Sequence, residues 1–242
     1  MKLAGPALSA LTCAVLACAA LNGAARAQDT WGDLARFAWF ACDCQDRVGD
    51  TDVGEGFKGA GLPQGWSAPG SAAEPAWRIA DGHLALARSR QPLSGAGDPA
   101  LVGRVLPSGA FSASTLVDYR ALDNGDVAGL AAWRDAGNWL SIQVERIEPA
   151  DLVAVRWRNG IGGPLAGKLI ATTALPAAAK GQVRLRIDGD GHDTYRLLFA
   201  TLEGNWQVLS ADLDGSMLSG ANSDQLPRAL IGPFAVDGAE RN

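Results

Sequence analysis

Residues 136–147 read AGNWLSIQVERI. After the Gly-Asn pair, Leu140, Ile142 and Val144 alternate with Ser141, Gln143 and Glu145. A period of two puts one set on each face of a β-strand, and the same letters fit no helical period. Residues 203–206, EGNW, repeat the turn and open a second such run, WQVLS. The two tryptophans, Trp139 and Trp206, have two readings. They are exposed platforms for a ligand such as a sugar, or they are residues that begin a strand where the chain turns a corner.

Outward from this stretch the pattern continues. WRIADGHLALAR (77–88) places Leu84 and Leu86 in alternation after an Asp-Gly turn. FSASTLVDYR, GLAAWR, LVAVRW, QVRLRID and TYRLLFA are further strand-length runs rich in β-branched or aromatic residues. Turn signals separate them: Asn124-Gly125, Asp135 to Asn138, Asn159-Gly160, Asp188 to Gly191 and Glu203 to Asn205. No helical period of useful length follows Gly65, and no domain-sized repeat is visible. Short strands without intervening helices predict antiparallel sheets packed as one sandwich. Ahead of them, residues 28–56 form an irregular lead-in rich in Gly and Asp, and WGDLARFAWFA (31–41) within it suits a short helix.

Lys2, the apolar run Leu8 to Leu21 and the small-x-small Ala25-Arg26-Ala27 have the form of a secretory signal cut before Gln28. The run is shorter than the roughly 20 residues a membrane-spanning helix needs. Cleavage leaves 215 of the 242 residues and, with Lys2 and Arg26 gone, a net charge of −7 in place of −5. The expected location is periplasmic or extracellular. Val15-Leu16-Ala17-Cys18 loosely matches a bacterial lipobox and offers a lipid anchor at Cys18 as the minor alternative. An acidic chain with four lysines and no basic run argues against nucleic acid and anionic membrane as partners.

The mature chain keeps Cys42 and Cys44 in FACDCQD, but a Cys-x-Cys metal site lacks partners, since His83 and His192 each stand among non-ligand neighbours. In an oxidising compartment the two cysteines either close a small strained ring or pair with another chain; the plainer reading gives them no catalytic role.

The order of the pieces resembles the C-terminal concanavalin A-like domain of family 43 glycoside hydrolases, the β-xylosidases. The matching residues are Gly65-Trp66, Gly82 to Leu86, Ala128-Gly129-Leu130, Asn138-Trp139 and Val183 to Ile187. Tyr195 to Ser219 follows, with Gly204 before Trp206, Leu209, Asp212 and Leu218-Ser219, and Gly232 to Ala235 closes the series. The resemblance implies an all-β jelly-roll sandwich of two antiparallel sheets over residues 57–238. It implies that both Gly-Asn-Trp stretches begin return strands of hairpins, with glycine supplying backbone angles closed to other residues. On that reading Trp206 alternates with Val208 and points inward, whereas Trp139 lies opposite its strand's apolar set. It also implies no active site, because the family's catalytic carboxylates belong to a separate β-propeller that the sandwich packs against.

The sandwich itself shows no catalytic motif. Related jelly-roll hydrolases place two carboxylates on one strand face, about 5–5.5 Å apart in retaining enzymes. Here the nearest acidic pairs, Asp212/Asp214 and Asp188/Asp190, read as turns. Tyr119, Tyr195, His83 and His192 sit in no lyase motif, and neither histidine sits in a nucleophile-elbow context. Asp188-Gly-Asp190-Gly-His192-Asp193 looks like a calcium loop, but Asp193 and Phe199 stand where an EF-hand-type loop needs Gly and Glu. Sandwiches of this kind often hold a structural calcium between terminal strands, and Asp237 is a candidate ligand; no other cofactor is called for.

Three functions follow. The first is an exported, non-catalytic module that binds or helps process carbohydrate. The second is a glycoside hydrolase or polysaccharide lyase with an unrecognised site on the same fold. The third is an envelope protein whose sandwich contacts other proteins. For the first, strand parity offers a ligand face. It collects Trp139, Ser141, Gln143 and Glu145 from one strand, Arg156 and Arg158 from the next, and Arg184 and Arg186 from a third if that strand joins the same sheet. Tryptophan stacks on a pyranose and arginine forks bond hydroxyls or uronic carboxylates. The plainer alternative is a solvated sheet face whose arginines pair with acidic neighbours.

Overall fold

The computed structural model describes residues 35–42, 57, 59–70, 76–219 and 228–238. The signal peptide expected at 1–27, the lipobox cysteine Cys18 and Cys44 lie outside the described residues. Among the described residues, fourteen strands form two seven-stranded sheets. The first sheet holds β1 (Ala35–Cys42), β3 (Trp77–Ala80), β4 (His83–Leu86), β6 (Phe111–Asp118), β11 (Gln182–Gly189), β12 (Thr194–Ala200) and β13 (Gln207–Asp214). The second holds β2 (Trp66–Ser67), β5 (Gly103–Val105), β7 (Val127–Asp135), β8 (Asn138–Ile147), β9 (Ala150–Asn159), β10 (Lys168–Ala174) and β14 (Leu230–Val236). Their orders are β13-β12-β11-β6-β1-β4-β3 and β10-β9-β8-β7-β14-β5-β2. The strands pair antiparallel, as expected for a concanavalin A-like sandwich.

A helix is expected at 31–41, but within that span the described residues are strand: Ala35–Cys42 belongs to the first sheet. Strand β1 pairs with β6 from Arg36↔Asp118 to Cys42↔Ser112, and with β4 from Ala35↔Leu86 to Phe37↔Leu84. Alanine and arginine favour a helix when nothing else acts, but a gap between two strands needs a strand to satisfy their backbone groups. The sandwich therefore takes in part of the supposed lead-in.

The core lies between the sheets. Leu84, Leu86, Val183, Leu185 and Ile187 of the first meet Leu140, Ile142, Val144, Val153 and Val155 of the second, all fully buried in one cluster. Here alternation predicts correctly, because each of these strands sends one parity into the core. The Asp81-Gly82 turn joins β3 to β4 with both residues at positive φ, as such a two-residue hairpin requires.

Both tyrosines of the chain are buried at the margins of this core. Burial first, and then the Asp151 charge, push the Tyr119 phenol above its ordinary 10.0. Burial, and then Asp193 and Asp190, push Tyr195 higher still. A phenol raised in the folded state stabilises the fold fully below its unfolded value near 10, and that contribution is lost as pH rises through the folded value. An alkaline titration of phenolate absorbance should show no step near pH 10 while the protein stays folded, with phenolate appearing together with the loss of circular dichroism. A full step near pH 10 in folded protein would contradict this placement of both rings.

Candidate functional site

The register of β8 on β9 sets Trp139 opposite Arg158, Ser141 opposite Arg156 and Gln143 opposite Ala154. Trp139, Gln143, Glu145, Arg156 and Arg158 thus share the outer face of the second sheet, as parity predicts. That face is covered, however. Trp139 is 2% exposed and packs with Leu93, Leu101, Val127, Ala131, Phe234 and Val236 in a second apolar cluster. Its Nε1–H donates to Ser94 Oγ (3.0 Å), and Trp133 Nε1–H donates to Leu93 O (3.0 Å). Gly167, at φ +74°, lies so close that a Cβ there would stand 2.4 Å from the Trp139 ring. Trp139 is not an open platform.

Beside it runs a buried polar chain. Ser141 Oγ donates to Gln143 Oε1 (2.8 Å), and Gln143 Nε2 donates to Glu145 Oε1 (2.7 Å). Arg156 then grips both oxygens of Glu145, Nε to Oε1 at 2.5 Å and Nη2 to Oε2 at 3.0 Å. The remaining arm of Arg156 reaches Gly167 O (3.3 Å), and Arg158 donates to Pro164 O and to Ile161 O (2.9 Å). Apart from Arg158 Nε, which has no hydrogen-bond partner among the described residues, these groups are spent on each other and on the β9–β10 loop.

Arg184 and Arg186 do not join this face. Strand β11 pairs with β6 and β12 in the first sheet, and its burial alternates so that Val183, Leu185 and Ile187 point inward. The two arginines therefore lie on the opposite side of the sandwich. There they meet Trp206, whose ring centroid is 4.9 Å from Arg184 Cζ and 5.6 Å from Arg186 Cζ. Trp206 does not point into the core as alternation with Val208 suggests. The two do share a face, but it is the outer one, where Trp206 is half-buried and Val208 is 53% exposed. Leu209 and Leu213 pack on the core instead.

The turn that carries Trp206 is held from below. Arg184 donates from Nε to Thr201 O (3.3 Å) and from Nη2 to Gly204 O (2.6 Å). Gly204 is not at positive φ; a Cβ there would sit 2.4 Å from Thr201 Oγ1, so the glycine serves close approach. Gly137, ahead of Trp139, likewise lacks a positive φ, and its turn is set by Asp135 Oδ1, which accepts from Gly137 N and Asn138 Nδ2, both at 2.8 Å. One row on, Asp188 accepts from Arg186 Nε (2.6 Å), Arg196 Nη2 (3.1 Å) and Ser112 Oγ. Arg196 and Asp188 complete the cluster; Arg196 carried no sequence signal of its own, and pairing β12 to β11 is what sets it opposite Asp188.

Asp188 lies on β11, and Asp212 and Asp214 on β13, rather than in turns. Asp190 accepts from the amides of His192 (2.7 Å) and Thr194 (3.0 Å), which hold its carboxyl below the ordinary range and make it a turn residue. Asp237 follows β14, its amide donating to Ser89 O (2.9 Å). Among the described residues no group of three or more His, Cys, Asp or Glu is placed to hold a metal. Asp126, unnoticed in the sequence, is a buried carboxylate that accepts from Arg88, from Asp123 N (2.7 Å) and from Gly238 N (2.9 Å), and so ties β7 to the end of β14.

The family of β-xylosidase C-terminal concanavalin A-like domains matches residues 55–240. No curated protein matches the chain in sequence. Among solved structures, a family 43 glycoside hydrolase retrieved from a capybara gut metagenome matches with TM-score 0.63 and 19% identity over 75% of this chain and 34% of that one. A xylan β-1,4-xylosidase from Bacillus halodurans C-125 matches with TM-score 0.66 and 19% identity over 82% and 38%. A family 43 protein of a Bacteroides ovatus xyloglucan utilisation locus matches with TM-score 0.60 and 19% identity over 74% and 34%. These likenesses show the fold, and the aligned part is little more than a third of each of those chains.

The two outer faces predict opposite mutational signatures. Trp139→Ala should cost about 3–5 kcal/mol, the range for emptying a buried aromatic site. Arg156→Ala should cost about 3–5 kcal/mol by stranding the Glu145 charge. Trp206→Ala should cost only about 1–2 kcal/mol, the worth of two partly exposed cation–π contacts. Urea unfolding of the three variants checks the order; a Trp139→Ala protein as stable as the parent would reopen that face to ligands.

Proposed function

The chain belongs to the family of β-xylosidase C-terminal concanavalin A-like domains, and from that premise we propose that it is an exported, non-catalytic module that binds carbohydrate. The observation that carries the proposal is the half-buried Trp206 set against Arg184 and Arg186 on the outer face of the first sheet. An indole offers an apolar plane to the C–H groups of a pyranose, and guanidinium groups donate to its hydroxyls. The solved structures similar to this chain include a family 43 glycoside hydrolase and a xylan β-1,4-xylosidase, which supports a carbohydrate partner.

Three acidic side chains on the outer faces support a binding role over a hydrolytic one. Glycoside hydrolysis needs a carboxylate pair flanking the scissile bond. On these faces Asp188 is tied to Arg186 and Arg196, Glu145 to Arg156, and Asp118 to Arg120. Each is committed to an arginine.

Purified mature protein should release no product from aryl-xyloside or aryl-arabinoside at the roughly 1 per second of an ordinary enzyme. It should instead be retarded in native gels containing plant cell-wall polysaccharide, and its N-terminal sequence should begin at Gln28 in the exported fraction. Turnover at that rate overturns the non-catalytic part, and unretarded migration across xylan, arabinan and xyloglucan gels overturns the binding part.

A further inference from the structure

Four residues on the outer face of the first sheet carry a charge imbalance. Arg184, Arg186 and Arg196 face a single carboxylate, Asp188. Among these four residues that is an excess of two positive charges, and two of them, Arg184 and Arg186, lie against Trp206 on a chain whose net charge is −5. Among the described residues the hydrogen bonds of Arg184 go to two backbone carbonyls and none to a carboxylate. Those bonds use Nε and Nη2, which leaves the two Nη1 protons available to a ligand. Arg186 spends Nε on Asp188 and keeps both terminal nitrogens. The carbonyl clamp and the Asp188 bridge fix both forks before any ligand arrives, so less entropy is lost on binding.

A neutral sugar would need the aromatic plane and a few donors, with no reason for three guanidinium groups around one carboxylate. A sugar acid uses all of it. Its ring lies on Trp206 and its carboxylate accepts parallel N–H bonds from a guanidinium fork, the short, charge-assisted geometry that Arg–carboxylate pairs adopt. From this charge complementarity we infer that the Trp206 face selects acidic glycans, those bearing uronic acid, over neutral ones. The inference rests on the carbohydrate-binding reading above and adds the ligand's charge. The overall acidity of the chain opposes nucleic acid as the occupant, since long polyanions respond to the whole protein's field.

The test is calorimetry of the full mature chain with a glucuronic-acid-bearing xylo-oligosaccharide and its carboxyl-reduced, uncharged counterpart. The acidic fragment should bind roughly tenfold more tightly, as expected when a charged acceptor replaces a neutral one. Arg186→Gln should weaken the acidic fragment far more than the neutral one, so that the two bind about equally, whereas Trp206→Ala should weaken both alike and keep the ratio between them. Should Arg186→Gln melt early, Arg196→Gln asks the same question from a guanidinium that is 54% exposed. Equal affinity of the two fragments for the parent protein overturns the selectivity and leaves carbohydrate binding standing. Binding of neither overturns both. Polyglutamate binding as tightly as the acidic fragment overturns the sugar-acid assignment in favour of charge alone.

Discussion

Trp139 has to be kept dry on the side of the second sheet that faces away from the sandwich, and much of the architecture answers to that need. An indole there buries a large apolar surface only if something lies over the sheet. The cover is the segment around Leu93 and Leu101, which also supplies Ser94 Oγ for the indole N–H. Once the face is covered, Ser141, Gln143 and Glu145 are buried with the ring, and buried polar groups must find partners. They do so in series, ending at Arg156. A carboxylate 3% exposed is costly unless its charge is matched, and the two-pronged Arg156 grip supplies the match.

The first sheet has the opposite economy on its outer side. Its arginines are held by carbonyls and by one shared carboxylate, and they stay partly open to water. Arg184 does two things there, bracing the turn through Thr201 and Gly204 and lying near the face of Trp206. A ring positioned by a braced turn is pre-organised in a way that a ring on a loose loop is not. The sandwich therefore divides its labour, with one outer face sealed for stability and the other left polar, charged and accessible.

The sheets and most of the core were legible in the sequence because Leu84, Ile142, Leu185 and their neighbours sit on strands with one apolar parity. Parity also grouped Trp139, Gln143, Glu145, Arg156 and Arg158 on one face, and they are together. What it could not report is cover. Alternation tells which residues share a side, whereas burial of that side here depends on residues 89–102, an irregular stretch with no period of its own. Sheet membership was equally silent. Strand β11 follows β10 closely in sequence yet pairs with β6 and β12, and a crossover of that kind is decided by packing between distant segments. The strand at Ala35–Cys42 was missed because its composition suits a helix and its partners, β4 and β6, come later in the chain.

The two Gly-Asn-Trp turns show how little the local letters settle. Each precedes a strand, and each tryptophan takes the outer face of its sheet. Trp139 is followed by Leu140, Ile142 and Val144 at strict intervals, which leaves one inward parity for its strand. Trp206 is followed by Val208 and Leu209 side by side, so either parity could face the core. Register slips between Tyr195 and Leu197, and again between Leu197 and Leu198, accompany the choice, and Leu209 and Leu213 take the inner side. Val208 is left in water next to Trp206, and the arginines of β11 lie across the same rows. The fate of each ring follows from what the described residues bring to that face: a covering segment for Trp139, and a row of charge for Trp206. Of the two rings, Trp206 is the less buried among the described residues, and the Arg184-braced turn holds it in place.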